Sequence, residues 1–376
     1  MTMKISSNFD SGNITVVDLK ETGEIDLKIR KDTASDFLQW FHFRLTGALD
    51  ISCNISILNA GETTFPDGWE NYHACASYDC VEWFRVPTRF EDGVLKIDYQ
   101  PSNNSVYFAY FAPYSYQAHQ NLIHRAQRSD LCRLDVIGET VEGRDLDLLV
   151  IGDEGIGHNI WIIGRQHPGE SMAEWFIHGL VERLLDESDP VSRQLLQKAC
   201  FYIVPNMNPD GAIAGNLRAN AAGANLNREW KSPSLERSPE VYHTLQKMDE
   251  TGVDLLLDVH GDEAIPYNFV AGGEGVPGYT DRIGKLEKRF KDAWMAFSPD
   301  FQDEHNYGKD EPETANMTVC SNAVGYRFNC LSFTIEMPFK DNDDLPDPIY
   351  GWSDERSMIL GESVLNPILY VIDHLR

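Results

Sequence analysis

Asn159-Ile160-Trp161-Ile162-Ile163-Gly164-Arg165-Gln166-His167-Pro168-Gly169-Glu170 is the most informative run in the chain. It opens as a nearly continuous apolar run, the pattern of a strand covered on both faces. A polar turn follows, and then an amphipathic helix is predicted from Ala173 to Leu185. Downstream, Phe201-Tyr202-Ile203-Val204, Leu255-Leu256-Leu257-Asp258-Val259 and Phe333-Thr334-Ile335 are further short apolar strands. Just upstream, Leu134-Asp135-Val136-Ile137 and Leu146-Asp147-Leu148-Leu149-Val150-Ile151 flank Glu142-Gly143 and predict a hairpin. A last helix is expected from Asp354 to Leu375, with Ser353 as N-cap and Asp354-Glu355 in its first turn. Strands alternating with helices predict an α/β domain with a mixed, largely parallel sheet over residues 116–376.

The residues before 116 read differently. Apolar and polar residues alternate in short runs such as Ile25-Asp26-Leu27-Lys28-Ile29, Ile51-Ser52-Cys53-Asn54-Ile55-Ser56-Ile57 and Val94-Leu95-Lys96-Ile97-Asp98-Tyr99. Turn clusters at Pro66-Asp67-Gly68 and Glu91-Asp92-Gly93 separate them, so residues 1–115 are expected to form an antiparallel β-sandwich. A helical period from Tyr116 to Gln127 marks the connector between the two units. A length of 376 residues supports two cores.

Hydrophobic residues make up 42% of the chain, ample for burial, yet no run of 18 apolar residues occurs, so a membrane span is not expected. The balance of 32 basic against 59 acidic residues gives a net charge of −27, a field that repels nucleic acid. Seven cysteines, an odd number with no Cys-x-x-Cys pair, argue against a disulfide scaffold or a zinc ribbon. The first residues lack a secretory pattern, and the cysteines therefore read as reduced thiols of a cytoplasmic protein.

His167 and Glu170, three residues apart on one turn, can ligate one cation, and an N/O donor pair suits zinc. His260, directly after the Leu255–Val259 strand, is the candidate third ligand, because the carboxyl ends of parallel strands converge on one crevice. Such a His-Glu-His set leaves a coordination position for water, as catalytic zinc sites do. Two further segments join it: Asn206-Met207-Asn208-Pro209-Asp210-Gly211 followed by Arg218 and Gly223-Ala224-Asn225-Leu226-Asn227-Arg228, and Phe333-Thr334-Ile335-Glu336-Met337-Pro338. Glu336 ends an apolar strand, where burial would raise its pKa and fit it as a general base.

The ordered set His-x-x-Glu, Asn-Pro-Asp-Gly, Arg, Asn-Arg, His, Glu resembles the zinc metallocarboxypeptidases of the carboxypeptidase A superfamily. His167-Pro168-Gly169-Glu170, Asn225-Leu226-Asn227-Arg228 and Thr334-Ile335-Glu336-Met337 are most similar to its cytosolic carboxypeptidase branch. Phe9-Asp10-Ser11-Gly12-Asn13 and Pro113-Tyr114-Ser115-Tyr116 resemble the β-sandwich that precedes the catalytic domain there. The resemblance implies an α/β/α metallocarboxypeptidase domain with one Zn2+ per chain on His167, Glu170 and His260. It implies that Glu336 activates the zinc-bound water and later protonates the leaving amine. Arg218 would stabilise the oxyanion, and Asn227 and Arg228 would clamp the substrate's terminal carboxylate. Peptide or protein C-termini are the implied substrates, and relatives that trim glutamate from protein tails make acidic terminal residues a candidate class. Lys340 and Arg327 are candidate contributors to such a pocket, though each also reads as an ordinary surface charge, and Tyr307 and Tyr326 are candidates for a substrate-binding tyrosine.

Two departures stand out. The digestive branch has an arginine between the His and Glu ligands, where this chain has Gly169. The family often carries an Asp behind the first His ligand, and here that position is Asn225, a neutral acceptor. A zinc amidohydrolase acting on acylated amino acids or peptidoglycan fragments, and a non-catalytic binding module, are the alternatives. Glu336 speaks against the module, which needs no base beside the metal.

Overall fold

The structure, a computed structural model, describes residues 2–375. Ten strands come first: β1 (Lys4–Ser6), β2 (Thr15–Leu19), β3 (Glu24–Lys28), β4 (His42–Thr46), β5 (Cys53–Ile57), β6 (Cys75–Ser77), β7 (Phe84–Arg85), β8 (Thr88–Glu91), β9 (Val94–Tyr99) and β10 (Ser105–Ala109). They form two five-stranded sheets, ordered β1-β4-β10-β6-β7 and β2-β3-β5-β9-β8. The period-two alternation turns Leu27, Ile55, Ile57, Leu95 and Ile97 of one sheet toward Phe43, Leu45, Val106 and Phe108 of the other, all fully buried. The sandwich is antiparallel except for β3 and β5, which pair in parallel. The 24 residues between those two strands contain β4 of the opposite sheet, so the chain crosses over and returns in the same direction.

After α1 (Tyr116–Ala126) come β11 (Cys132–Glu139), β12 (Asp145–Ile151), β13 (His158–Gly164), α2 (Ser171–Leu184), α3 (Pro190–Leu195), β14 (Ala199–Val204), α4 (Pro209–Ala214) and α5 (Pro239–Thr251). The chain ends with β15 (Leu255–Val259), β16 (Phe269–Ala271), α6 (Asp281–Phe297), α7 (Cys320–Phe328), β17 (Leu331–Glu336), α8 (Asp354–Ser363) and α9 (Leu365–Val371). The seven strands form one sheet, β11-β12-β14-β13-β15-β17-β16, whose four central members run in parallel while the outer ones are antiparallel. Ile160 and Ile162 face α2, α6 and α8, whereas Trp161 and Ile163 face α5 and α7, so both faces are covered. Truncating such a residue to alanine costs roughly 2–5 kcal/mol.

The core on the α2 side is continuous with that of the sandwich. Tyr110 of the sandwich stacks on Phe339, with ring centroids 4.4 Å apart. The expected single C-terminal helix is broken into α8 and α9. Pro367 supplies no N–H to the Ser363 carbonyl, and Asn366 Nδ2 donates to that oxygen instead at 3.0 Å. Six of the seven cysteines are buried and Cys80 is exposed. Among the described residues no helix is long and apolar enough to cross a membrane.

Candidate metal centre and active site

Parallel pairing brings distant residues together. β13, β15 and β17 are neighbours, with Gly164 opposite Val259 and Val259 opposite Ile335. His260 therefore leaves β15 beside Glu336, the last residue of β17, and its N–H donates to the Ile335 carbonyl at 2.8 Å. The turn after β13 carries His167 and Glu170 to the same edge. Gly169 packs closely there: a Cβ at this position would sit 3.0 Å from the Leu217 carbonyl oxygen, which accepts from Gly169 N–H at 2.9 Å.

The donor atoms of His167, Glu170 and His260 lie within 4.8 Å of one another, and all three residues are buried. His167 Nδ1 is 2.7 Å from Glu170 Oε1, His260 Nδ1 is 2.8 Å from Glu170 Oε2, and the two Nδ1 atoms are 3.2 Å apart. Both rings are held from behind. His167 Nε2 lies 3.0 Å from Asn225 Oδ1, and His260 Nε2 lies 3.0 Å from Asp258 Oδ2. Gln166 Nε2 donates to both Asp258 oxygens at 2.8 Å, and Trp230 Nε1 donates to Gln166 Oε1 at 2.8 Å. Two imidazole nitrogens and a carboxylate, turned inward with their outer atoms anchored, fit zinc and its preference for N and O donors.

Charge is arranged to keep those donors ready. Burial, with Arg218 nearby, lowers the His167 pKa to about 4, the neutral form a ligand needs. Burial alone would raise the Glu170 pKa, but the two imidazoles outweigh it and keep the carboxylate ionised. His260 is held upward despite burial, because Asp258 and Glu170 flank it. A cation entering the cluster takes the place of that proton.

Glu336 lies buried at the same cavity, a cleft of about 470 Å3 that also exposes His167, Glu170, His260, Arg218 and Arg228. Burial drives its pKa well above the usual carboxylate range; His260 opposes this, and Glu170 and Asp262 reinforce it. Among the described residues its Oε2 has no hydrogen-bond partner. Its Oε1 is 3.0 Å from the Tyr307 hydroxyl, which also donates to Asp262 Oδ2 at 2.6 Å. Such a carboxylate, half unsatisfied and reluctant to ionise, is suited to taking and returning a proton.

Arg218 stands over this centre with Nη1 3.7 Å from Glu170 Oε1 and 3.8 Å from Glu263 Oε1. Arg228 lies at the mouth of the cavity. Its guanidinium donates to the Asn227 carbonyl at 2.7 Å and meets no carboxylate within ion-pair distance among the described residues. Asn227 lines the cavity too, with its Oδ1 accepting from Cys320 N–H at 2.8 Å and its Nδ2 3.3 Å from His260 Nε2.

Other expected members fall elsewhere. Tyr307 is in the site, but Tyr326 lines a separate cavity of about 280 Å3. Lys340 is buried with Nζ donating to the Glu70 carbonyl at 2.8 Å, and Arg327 pairs with Asp249 on the surface at 2.7 Å; neither reaches the cleft. Asn208, singled out by its motif, supports rather than lines the site: it caps α4 and donates to the Gln166 carbonyl at 3.0 Å. Sequence reasoning missed Asp258, Asp262, Glu263 and Phe65. Asp258 was readable as a carboxylate inside an apolar strand two residues before a ligand, a signal of the same kind as Glu336.

Together the fold and cluster bring three candidate metal ligands and a buried carboxylate to one cleft at the strand ends of an α/β/α sandwich. The family model described as "Zinc carboxypeptidase" matches residues 119–367, and the one described as "Cytosolic carboxypeptidase N-terminal domain" matches residues 5–111. The chain belongs to the zinc carboxypeptidase family, with the cytosolic type of N-terminal domain. It is similar to the crystal structure of a metallo-carboxypeptidase from Burkholderia cenocepacia, at 48% identity and a TM-score of 0.96 over 99% of both chains. It is equally similar to a Pseudomonas aeruginosa metallo-carboxypeptidase solved with (2-guanidinoethylmercapto)succinic acid, at 48% identity and a TM-score of 0.97 over 99% of this chain and all of that one. Cytosolic carboxypeptidase 6 of Caenorhabditis elegans is 27% identical over 89% of this chain and 78% of its own length.

Proposed function

We propose that the chain is a zinc-dependent carboxypeptidase that removes the C-terminal residue of peptides or proteins, with one zinc held by His167, Glu170 and His260. The observation that carries this reading is the shared cleft: a ligand cluster, an unsatisfied buried carboxylate and an arginine without an anionic partner. Zinc, when bound, supplies Lewis acidity at the scissile carbonyl. Glu336 takes the proton of the attacking water at its free Oε2 and returns it to the departing amine. Arg218 donates to the oxygen on which negative charge develops. Arg228, beside Asn227, receives the terminal carboxylate in a two-pronged fork.

The residue removed is a separate question. With Lys340 and Arg327 outside the cleft, its lining cations are Arg218 and Arg228, while Asp262, Glu263, Glu274 and Asp310 line it too. This wall favours a neutral or basic terminal side chain over an acidic one. The division into a sandwich of residues 1–115 and a catalytic unit of residues 116–376, and a cytoplasmic location, belong to the same proposal.

The test is mass-spectrometric screening of peptides ending in each of the 20 residues, with free and amidated C-termini, with and without chelator. Chelator-sensitive loss of one residue from free C-termini alone supports the assignment, and Arg228→Ala should raise KM for those peptides. Cleavage of acylated amino acids but not peptides would favour an amidohydrolase instead.

A further inference from the structure

The sandwich is tied to the loop that carries Arg218. Asp32, buried in the segment after β3, accepts three backbone N–H groups from the loop that carries Arg218: Leu217 at 2.7 Å on Oδ1, and Arg218 at 2.7 Å and Ala219 at 2.9 Å on Oδ2. The neighbouring contacts fix the same loop. Thr33 N–H donates to Asn216 Oδ1 at 3.0 Å, Asn13 Nδ2 donates to the Gly215 carbonyl at 2.8 Å, and Ser11 N–H donates to the Ile213 carbonyl at 3.0 Å. Gly223 approaches so closely that a Cβ there would lie 2.2 Å from the Ala34 carbonyl oxygen.

The sandwich also reaches the guanidinium itself. Phe65 lines the cleft with its ring centroid 5.0 Å from Arg218 Cζ, a cation–π distance. The Phe65 backbone is held at both ends by fully buried Gln39, which accepts from its N–H at 2.8 Å and donates to its carbonyl at 3.0 Å. Leu217, one of the residues fixed by Asp32, is the residue against which Gly169 of the ligand turn rests.

We propose that Asp32 is a positioning residue for Arg218, and that the sandwich, through Asp32 and Phe65, is a working part of the active site rather than a separate module. An aspartate suits the task because its two ionised oxygens accept all three amides. In an asparagine the NH2 half would face one or two of those N–H groups and leave them unpaired. The guanidinium would then lose its fixed aim, which matters most when charge develops in the transition state.

This inference rests on the carboxypeptidase reading, and a double-mutant cycle tests it apart from that reading. Asp32→Asn, Arg218→Ala and the double variant are compared in the zinc-loaded full chain for kcat and KM. The affinity of a phosphonate peptide, which mimics the tetrahedral species, is measured by calorimetry on the same proteins. Hydrogen exchange of the amides of residues 217–219 is followed in parallel. Asp32→Asn should lower kcat about 10-fold with KM and zinc content unchanged, speed exchange at those amides, and have no further effect once Arg218 is alanine. The same kcat loss in both backgrounds, or unchanged exchange, overturns the proposal. If Asp32→Asn does not fold, Asp32→Glu, which keeps the charge but displaces both oxygens, enters the same cycle with the same two readings. If the wild-type chain cleaves no peptide, the carboxypeptidase reading falls, and the phosphonate affinities and exchange rates still decide whether Asp32 sets Arg218.

Discussion

Two buried clusters in this molecule use the same chemistry, histidine against carboxylate, and behave differently. In the first, His119 of α1 sits between Glu174 Oε1 at 2.7 Å and Asp147 Oδ2 at 3.3 Å, and Glu174 Oε2 also takes Arg165 at 2.6 Å and Asn206 at 3.0 Å. Two cations face two anions, and the Glu174 oxygens are both used. In the second, His167, His260 and Glu170 turn their donor atoms inward at a cleft. The first cluster is closed and charge-balanced, a brace between α1, α2 and β12. The second gathers lone pairs toward a point that a cation can occupy. Residue types alone do not separate the two; the direction of the donor atoms does.

Removing zinc should therefore have the largest consequence for chemistry and a small one for the fold. Chelation, or His260→Ala, is expected to reduce peptide hydrolysis by at least ~10³-fold, the several kcal/mol a Lewis acid supplies. Far-UV circular dichroism should stay near the wild-type spectrum, and added zinc should restore the chelated protein but not the variant. Loss of helix and sheet signal on chelation would make the two clusters alike.

The His119 brace predicts the reverse pattern. Burial disfavours its charge, but hydrogen bonds to Asp147 and Glu174 prevail and raise its pKa from 6.5 to about 9. The folded state thus holds the proton more tightly than the unfolded chain. Its stabilisation is complete below about pH 6.5 and is lost as pH rises through 9, on the order of 3 kcal/mol in all. Denaturation midpoints at pH 6 and pH 9.5 should reveal that slope, and His119→Gln should flatten it while zinc content and KM stay the same. A pH-independent midpoint in the wild type would contradict the charged brace.

A finer contrast lies behind the ligands, where His260 is backed by the charged Asp258 and His167 by the neutral Asn225. Asn225→Asp should tighten zinc binding by up to ~10-fold, measured by competition with a chromophoric chelator. Weaker binding would mean that the added charge disturbs the His167 ring more than it strengthens the ligand.

Much of this was legible in the chain. The apolar strands, the hairpin around Glu142-Gly143 and the helix after Glu170 fall where the pattern puts them, because burial on both sheet faces leaves long unbroken signals. The turn of candidate ligands and Glu336 stand out in the sequence because polar groups interrupt those signals at strand ends. Asp32 was not, since in Arg30-Lys31-Asp32-Thr33 it reads as an ordinary charged turn, and its partners lie 185 to 187 residues away. Lys340 follows the Glu336 strand closely, yet its side chain turns to Glu70, a direction set by tertiary packing that linear spacing does not encode. Gly169 had a family precedent in sequence, and only the structure shows how closely it lies against the Leu217 backbone.

Glu336→Gln is the decisive variant, with zinc content by atomic absorption and peptide turnover measured on the same preparation. One zinc per chain retained with turnover lowered roughly 10²- to 10⁴-fold is the predicted result. Wild-type turnover in the zinc-replete variant would contradict the assignment of that carboxylate as the base.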